Sequence, residues 1–154
     1  MKESTTKKLL QQVTESYNQI ANEFSDTRNH PWEEFKYFQE YLHPEAEIID
    51  LGCGNGRLLN FLNQHYLDNK FQYIGIDNNQ ALLAHAQKKF PQSQFFLGDQ
   101  LAIPREDNSI DIIMNIAAFH HLPSHNLRSI QVLLASNMYA LALLTFRVNH
   151  LLSD

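Results

Sequence analysis

The chain is sparing with the residues that announce several protein classes. Cys53 is the single cysteine among 154 residues, which excludes a disulfide framework, and no metal-ligand cluster has the spacing of a zinc site. The net charge is −5 and no lysine- or arginine-rich run occurs, so the usual means of neutralising nucleic-acid phosphates is missing from this chain alone. The start, Met1-Lys2-Glu3-Ser4-Thr5-Thr6, lacks an apolar signal region, and a cytoplasmic location is the expectation. No membrane helix is expected, because Ser136 and Asn137 interrupt the last apolar run and Arg147 ends it. Glycine is scarce too: there are five, all at or before Gly98. What is there is one domain's length of chain, 44% hydrophobic, enough for a core and free of repeats or low-complexity linkers.

Three of the five glycines fall in one stretch, Ile48-Ile49-Asp50-Leu51-Gly52-Cys53-Gly54-Asn55-Gly56. The β-branched pair suits a strand buried on both faces of a parallel sheet. Glycines just after such a strand let the backbone turn tightly and approach a ligand with no Cβ between them. A helix expected over Arg57–His65 would point its unpaired N–H groups at whatever sits on the loop. The spacing is G-x-G-x-G, one residue shorter than the dinucleotide fingerprint G-x-G-x-x-G. Further buried-strand runs end in Asp77, Gly98-Asp99 and Asn115. The tips Asp50, Asp77, Asp99 and Asn115 would line one edge of the sheet, where open α/β folds bind ligands. A carboxylate at the second tip suits both ribose hydroxyls.

These residues resemble the class I S-adenosylmethionine-dependent methyltransferases. Asp50 to Gly56 resembles their first motif, Gly75-Ile76-Asp77 the ribose-binding second, and Gly98-Asp99 the position that meets the adenine amino group. Asn115-Ile116-Ala117-Ala118-Phe119-His120-His121-Leu122 resembles the fourth, at the methionine end. The run Tyr17-Asn18-Gln19-Ile20-Ala21-Asn22-Glu23-Phe24-Ser25-Asp26-Thr27-Arg28, with Pro31-Trp32, is similar to the start of the tRNA wobble-uridine carboxymethyl methyltransferases. The resemblance covers roughly residues 13 to 128. It implies an α/β, Rossmann-like three-layer αβα sandwich with a mostly parallel sheet, lacking its last two strands. It implies S-adenosylmethionine as cofactor, held by Asp50, Gly52, Cys53, Gly54, Asn55, Gly56, Asp77, Asn78, Asp99, Gln100 and Asn115, with Tyr17 and Arg28 as a lid. No metal is implied.

Each of these positions also has a plainer role. Asp50 either contacts the cofactor or holds the loop amides. Asp99 doubles as a turn residue after Gly98, and Cys53 is a small residue under the loop. His120 and His121, the candidate catalytic pair, should diverge, one buried and the other facing the site. Tyr17 and Arg28 are either ordinary helix and cap residues or partners of the methionine carboxylate. Trp32, Phe35 and Phe38 read as core rather than substrate platform.

The coarse reading divides the chain into a helical cap (1–43), a cofactor core (44–123) and an atypical end (124–154). Leu9, Leu10, Val13, Tyr17, Ile20, Ala21 and Phe24 form the apolar stripe of a first helix, and a second helix starts near Pro31. Strands are expected at Ile48–Leu51, about Phe71–Ile76, Phe95–Leu97 and Ile110–Asn115, with a helix at Gln80–Phe90. Ala135 to Tyr139 stands where the family has a turn before a fifth strand, and Leu141–Val148 suits that strand. A truncated or frame-shifted product, a natural short form, or an oligomer or partner covering the sheet edge would each account for the ending. The acceptor is a small molecule or tRNA. A carboxylate acceptor needs no general base, since a carboxyl of pKa about 4 is ionised at neutrality. The alternatives to a methyltransferase of unidentified acceptor are a wobble-uridine enzyme and a non-catalytic S-adenosylmethionine-binding domain or inactive fragment.

Overall fold

The computed structural model describes residues 3–27, 30–66, 71–103, 110–116, 118 and 121–137. Four parallel strands form one sheet: β1 (Glu47–Leu51), β2 (Gln72–Asp77), β3 (Gln94–Leu97) and β4 (Ile112–Met114), in the order β3-β2-β1-β4. The order reverses after the first three strands, so β1 and β4 become neighbours and a crevice opens above their carboxyl ends. Pairing aligns Asp50 with Gly75 and with Met114, which brings the expected strand tips to one edge.

Alternation along β1 divides the core. Ile48 packs with Tyr73, Phe95, Ile112 and Met114 on one face, under Leu58, Leu59, Phe61 and Leu62 of α2 (Arg57–His65) and Leu83 and Ala86 of α3 (Gln80–Lys89). Ile49 and Leu51 pack with Ile74, Ile76, Ile110 and Ile113 on the other, capped by Ile103. Two-sided burial explains why these strands read as continuous apolar runs.

The second helix differs from expectation. It is a 3₁₀ helix over Glu33–Tyr41, with Trp32 as its N-cap and Pro31 outside it. Trp32, Phe35 and Phe38 recur every third residue, the repeat of that tighter helix, and this turns Phe35 and Phe38 together into the core. On α1 (Glu3–Thr27), Ala21 and Ser25 are buried, whereas Leu9 and Ile20 of the expected stripe face solvent. β4 is shorter than the expected Ile110–Asn115; just before it Asp111 meets Glu47 twice, its amide donating to the Glu47 carbonyl at 3.2 Å and its carboxylate accepting from the Glu47 amide at 2.8 Å. An unanticipated helix, α4 (His125–Asn137), takes up Ala135 to Asn137, so those residues are not a turn. Ser124 caps it, its hydroxyl accepting from the Leu127 amide at 3.3 Å. The expected fifth strand at Leu141–Val148 lies outside the described residues.

Candidate functional site

The glycine loop is folded back onto β2. The amides of Gly52 and Cys53 both donate to the Ile76 carbonyl, at 2.7 and 3.2 Å. Close approach explains Gly52 and Gly56: a Cβ at the first would overlap the Ala118 methyl, and at the second would lie 2.9 Å from the Phe90 ring. Gly54 is different. A Cβ there meets nothing closer than Leu82 Cδ1 at 3.9 Å, but φ is +54°, and the open space on that side is a cradle fit for a ligand's backbone contact.

Asp77 closes the cradle. Its Oδ2 accepts from the Gly54 amide at 2.8 Å and its Oδ1 from the Asn79 amide at 2.8 Å. An ionised carboxylate has about four acceptor positions, so roughly two remain for a pair of vicinal hydroxyls. Burial raises the Asp77 pKa, opposed by the backbone N–H groups of Gly54, Asn79 and Asn78. Asn79 caps α3 through the Leu82 amide, while Asn78 is exposed at the tip.

Asp50 has another environment. It is 4% exposed and faces the core, where its Oδ2 accepts from the Tyr73 hydroxyl at 2.7 Å. Burial pushes its pKa up to about 7; the Tyr73 hydrogen bond lowers it and the Asp77 charge raises it. Cys53 is buried beneath the loop, and burial drives its thiol pKa well upward, so it is an inert packing residue.

Among the described residues, several contacts fasten the cap to the core. Asn55 Nδ2 donates to Ser25 Oγ at 3.3 Å, which commits that side chain to α1 and leaves its backbone for the loop. Arg57 Nε donates to the His30 carbonyl at 2.8 Å, with its guanidinium 4.5 Å from the Trp32 ring centroid. The Tyr17 hydroxyl is hydrogen-bonded to His121 Nε2 at 3.1 Å, and the rings meet edge to face at 5.3 Å. Arg28 and His120 lie outside the described residues.

At the far end, Asp99 holds its own turn, Oδ1 accepting from the Leu101 amide at 2.9 Å. Gln100 Oε1 accepts from Asn115 Nδ2 at 3.2 Å and from Gln131 Nε2 at 3.1 Å. Sequence reasoning missed Tyr73, Asn79 and Gln131. An asparagine just before a helical run was a usable cap signal for Asn79; Tyr73 and Gln131 gave no local sign.

A cavity of about 630 Å³ lies at the opposite edge, by the strands' amino ends, lined by Asn63, Tyr66, Phe71, Gln72 and Gln94 among others. It is remote from the glycine loop and is not the cofactor site. Among the described residues no cluster of His, Cys, Asp or Glu is placed to hold a metal ion, and no helix is long and apolar enough to cross a membrane.

With this geometry in view, comparison with known proteins assigns the family. The family described as "Methyltransferase domain" matches residues 48–137, more than half of the chain. The chain is 35% identical over 109 residues to the mouse tRNA (carboxymethyluridine(34)-5-O)-methyltransferase ALKBH8, covering 71% of this chain and 15% of that protein. It is 32% identical over 106 residues to a trans-aconitate 2-methyltransferase of Variovorax paradoxus, covering 69% and 40%. It thus spans less than half the length of either relative. The fold is similar to that of Haemonchus contortus phosphoethanolamine N-methyltransferase 1, with a TM-score of 0.71 over 91% of this chain and 31% of that one, at 14% identity. A chain with this loop, these strand tips and this match belongs to the methyltransferase-domain family, with the class I fold and S-adenosylmethionine as cofactor.

Proposed function

We propose that this chain transfers the methyl group of S-adenosylmethionine to a carboxylate oxygen of its acceptor. The observation that carries the cofactor half is the Asp77–Gly54 hydrogen bond at 2.8 Å, which ties the ribose-binding candidate to the open glycine of the loop. When bound, the cofactor would supply a methyl carbon activated by its sulfonium; the acceptor oxygen would form the new C–O bond in line as the C–S bond breaks, and S-adenosylhomocysteine would leave with the electron pair on sulfur. The chain's own part is alignment. In this reading Gly52 to Gly56 carry the cofactor backbone, Asp77 and Asn78 the ribose, Asp99 and Gln100 the adenine end, and Asn115 the methionine end. Asp50 supports the loop through Tyr73. Tyr17 and Arg28 act as the lid, with His120 and His121 beside the acceptor. The division into cap (1–43), core (44–123) and C-terminal part (124–154) belongs to the same reading.

The acceptor class is supported by chemistry that two relatives share. A carboxymethyluridine and trans-aconitate both present a carboxylate, and both enzymes are 32–35% identical to this chain over two-thirds of its length or more. An ionised carboxylate needs no base, in keeping with strand-tip acids that are already engaged, Asp50 by Tyr73, Asp77 by the Gly54 and Asn79 amides and Asp99 by its own turn. The sharper form of the proposal is the carboxymethyl group of a tRNA wobble uridine, supported by the ALKBH8 match. With a net charge of −5, such an enzyme relies on a partner or a local patch to meet RNA phosphates. A cytoplasmic location is part of this reading, in keeping with a lone reduced cysteine.

The test is transfer of isotopically labelled methyl to carboxymethyluridine-bearing tRNA and to trans-aconitate. Label on either that mild alkali releases as methanol supports a methyl ester; alkali-stable label overturns the carboxylate reading. Cofactor binding with no transfer to any carboxylate would favour a non-catalytic binding domain.

A further inference from the structure

Gln131 sits two turns into α4 with 0% of its surface exposed, yet its neighbours Ile130 and Val132 are 41% and 43% exposed. The helix therefore buries an amide and leaves two aliphatic side chains in solvent, the reverse of what transfer free energies favour. The buried amide is only half satisfied. Its Nε2 donates to Gln100 Oε1, but its Oε1 has no hydrogen-bond partner among the described residues, and neither has Asn115 Oδ1. A methionine or leucine there would remove that penalty, so packing alone does not explain glutamine.

What the amide does is hold Gln100. The Asn115 and Gln131 donors together occupy both lone pairs of Gln100 Oε1. That sets the amide plane and turns the Gln100 nitrogen away from both donors. Gln100 belongs to the turn after β3, on one side of the sheet, while Asn115 follows β4 on the other. The cluster therefore holds the segment Gly98–Ala102 across the carboxyl edge, level with the glycine loop.

We propose that Gln131 is a positioning residue for cofactor binding: through Gln100 it fixes this segment so that Asp99 and Gln100 are preorganised toward the adenine end. The inference rests on the S-adenosylmethionine reading. It has a signature that a merely structural glutamine lacks, because affinity and stability should move apart.

Calorimetry with S-adenosylhomocysteine tests it. Gln131→Met should weaken binding roughly three- to tenfold while the thermal midpoint stays or rises, since the orphaned oxygen is gone. In a Gln100→Ala background the same Gln131→Met change should leave affinity unmoved. Unchanged affinity in the otherwise native chain, or an equal loss in both backgrounds, overturns the proposal. Absence of binding by the unsubstituted chain overturns the cofactor reading itself, a different result. Should Gln131→Met fail to fold, the unsubstituted chain still decides: the Gln131 side-chain amide signals in an ¹⁵N spectrum should shift when S-adenosylhomocysteine is added, and signals that do not move overturn the proposal.

Discussion

The two ends of the sheet's carboxyl edge, where we propose that the cofactor binds, are built from different materials. At the β1–β2 end, the loop is held by backbone amides and the Asp77 carboxylate, with Asp50 turned into the core beside them, and burial raises the pKa of both acids. At the β3–β4 end, three neutral amides, Gln100, Asn115 and Gln131, share one oxygen. The first end responds to charge and proton concentration; the second responds only to geometry. The contrast also divides the tolerances. A charge-assisted hydrogen bond is about twice as strong as a neutral one, so a lost contact at the first end costs more.

The largest expected effect that sharpens this contrast is pH dependence. Asp50 has an unfolded-state reference near 3.8 and a folded pKa of about 7, so between those values the folded state binds more protons. The stability it contributes is complete below about pH 4 and is lost as pH rises through 7, on the order of 4 kcal/mol. Urea unfolding of Asp50→Asn across that window should show a flatter profile, because asparagine does not titrate, while its side-chain oxygen can still accept from Tyr73. The Asp77 pKa is also raised, so its contribution has the same sign and should survive as a residual slope. A profile unaltered by Asp50→Asn would place the titration elsewhere.

Next comes Gly52→Ala, which combines a φ of +77° with overlap of the Ala118 methyl. A loss of about 2–4 kcal/mol is expected, read as a lower urea midpoint. Adding Ala118→Gly should restore the packing part and leave the backbone strain. A midpoint equal to the parent's would mean that the loop is not seated as described.

Asp77→Ala follows, removing a charge-assisted acceptor pair, with an expected ten- to hundredfold loss of S-adenosylhomocysteine affinity, about 1.5–3 kcal/mol. Calorimetry that finds the affinity intact removes Asp77 from the site. Tyr17→Phe should be the mildest change. It keeps the ring contact with His121 and loses only the hydroxyl, about 0.5–1.5 kcal/mol. Faster amide hydrogen exchange in α1, with the sheet unaffected, is the expected readout.

The β1–β2 end was legible in the sequence for a physical reason. Its parts are either glycines, whose missing Cβ is itself a written signal, or acids ending apolar runs, and strand period and topology align those ends without knowledge of side-chain contacts. The helix Arg57–His65 was expected at the bounds observed, because apolar period and a preceding glycine agree there. Legibility failed where a role depends on partners far along the chain. Tyr73 looked like another strand residue until the β1–β2 register, which pairs it with Ile48, let its hydroxyl reach Asp50, 23 positions away. Gln131 meets Gln100 at a separation of 31, on a helix that the sequence analysis did not anticipate. The 3₁₀ helix was misjudged because spacings of three fit both helix types, and only packing of Phe35 and Phe38 distinguishes them.

By itself, then, the sequence determined the parallel α/β fold, the alignment of the strand tips along one edge and the acid that meets the loop, because period, glycine and strand-end chemistry are local properties. Only the tertiary structure decided which carboxylate is turned into the core, where the cap is fastened and which amide on α4 meets Gln100. Those are contacts between elements, and burial energy selects them only once the layers have closed.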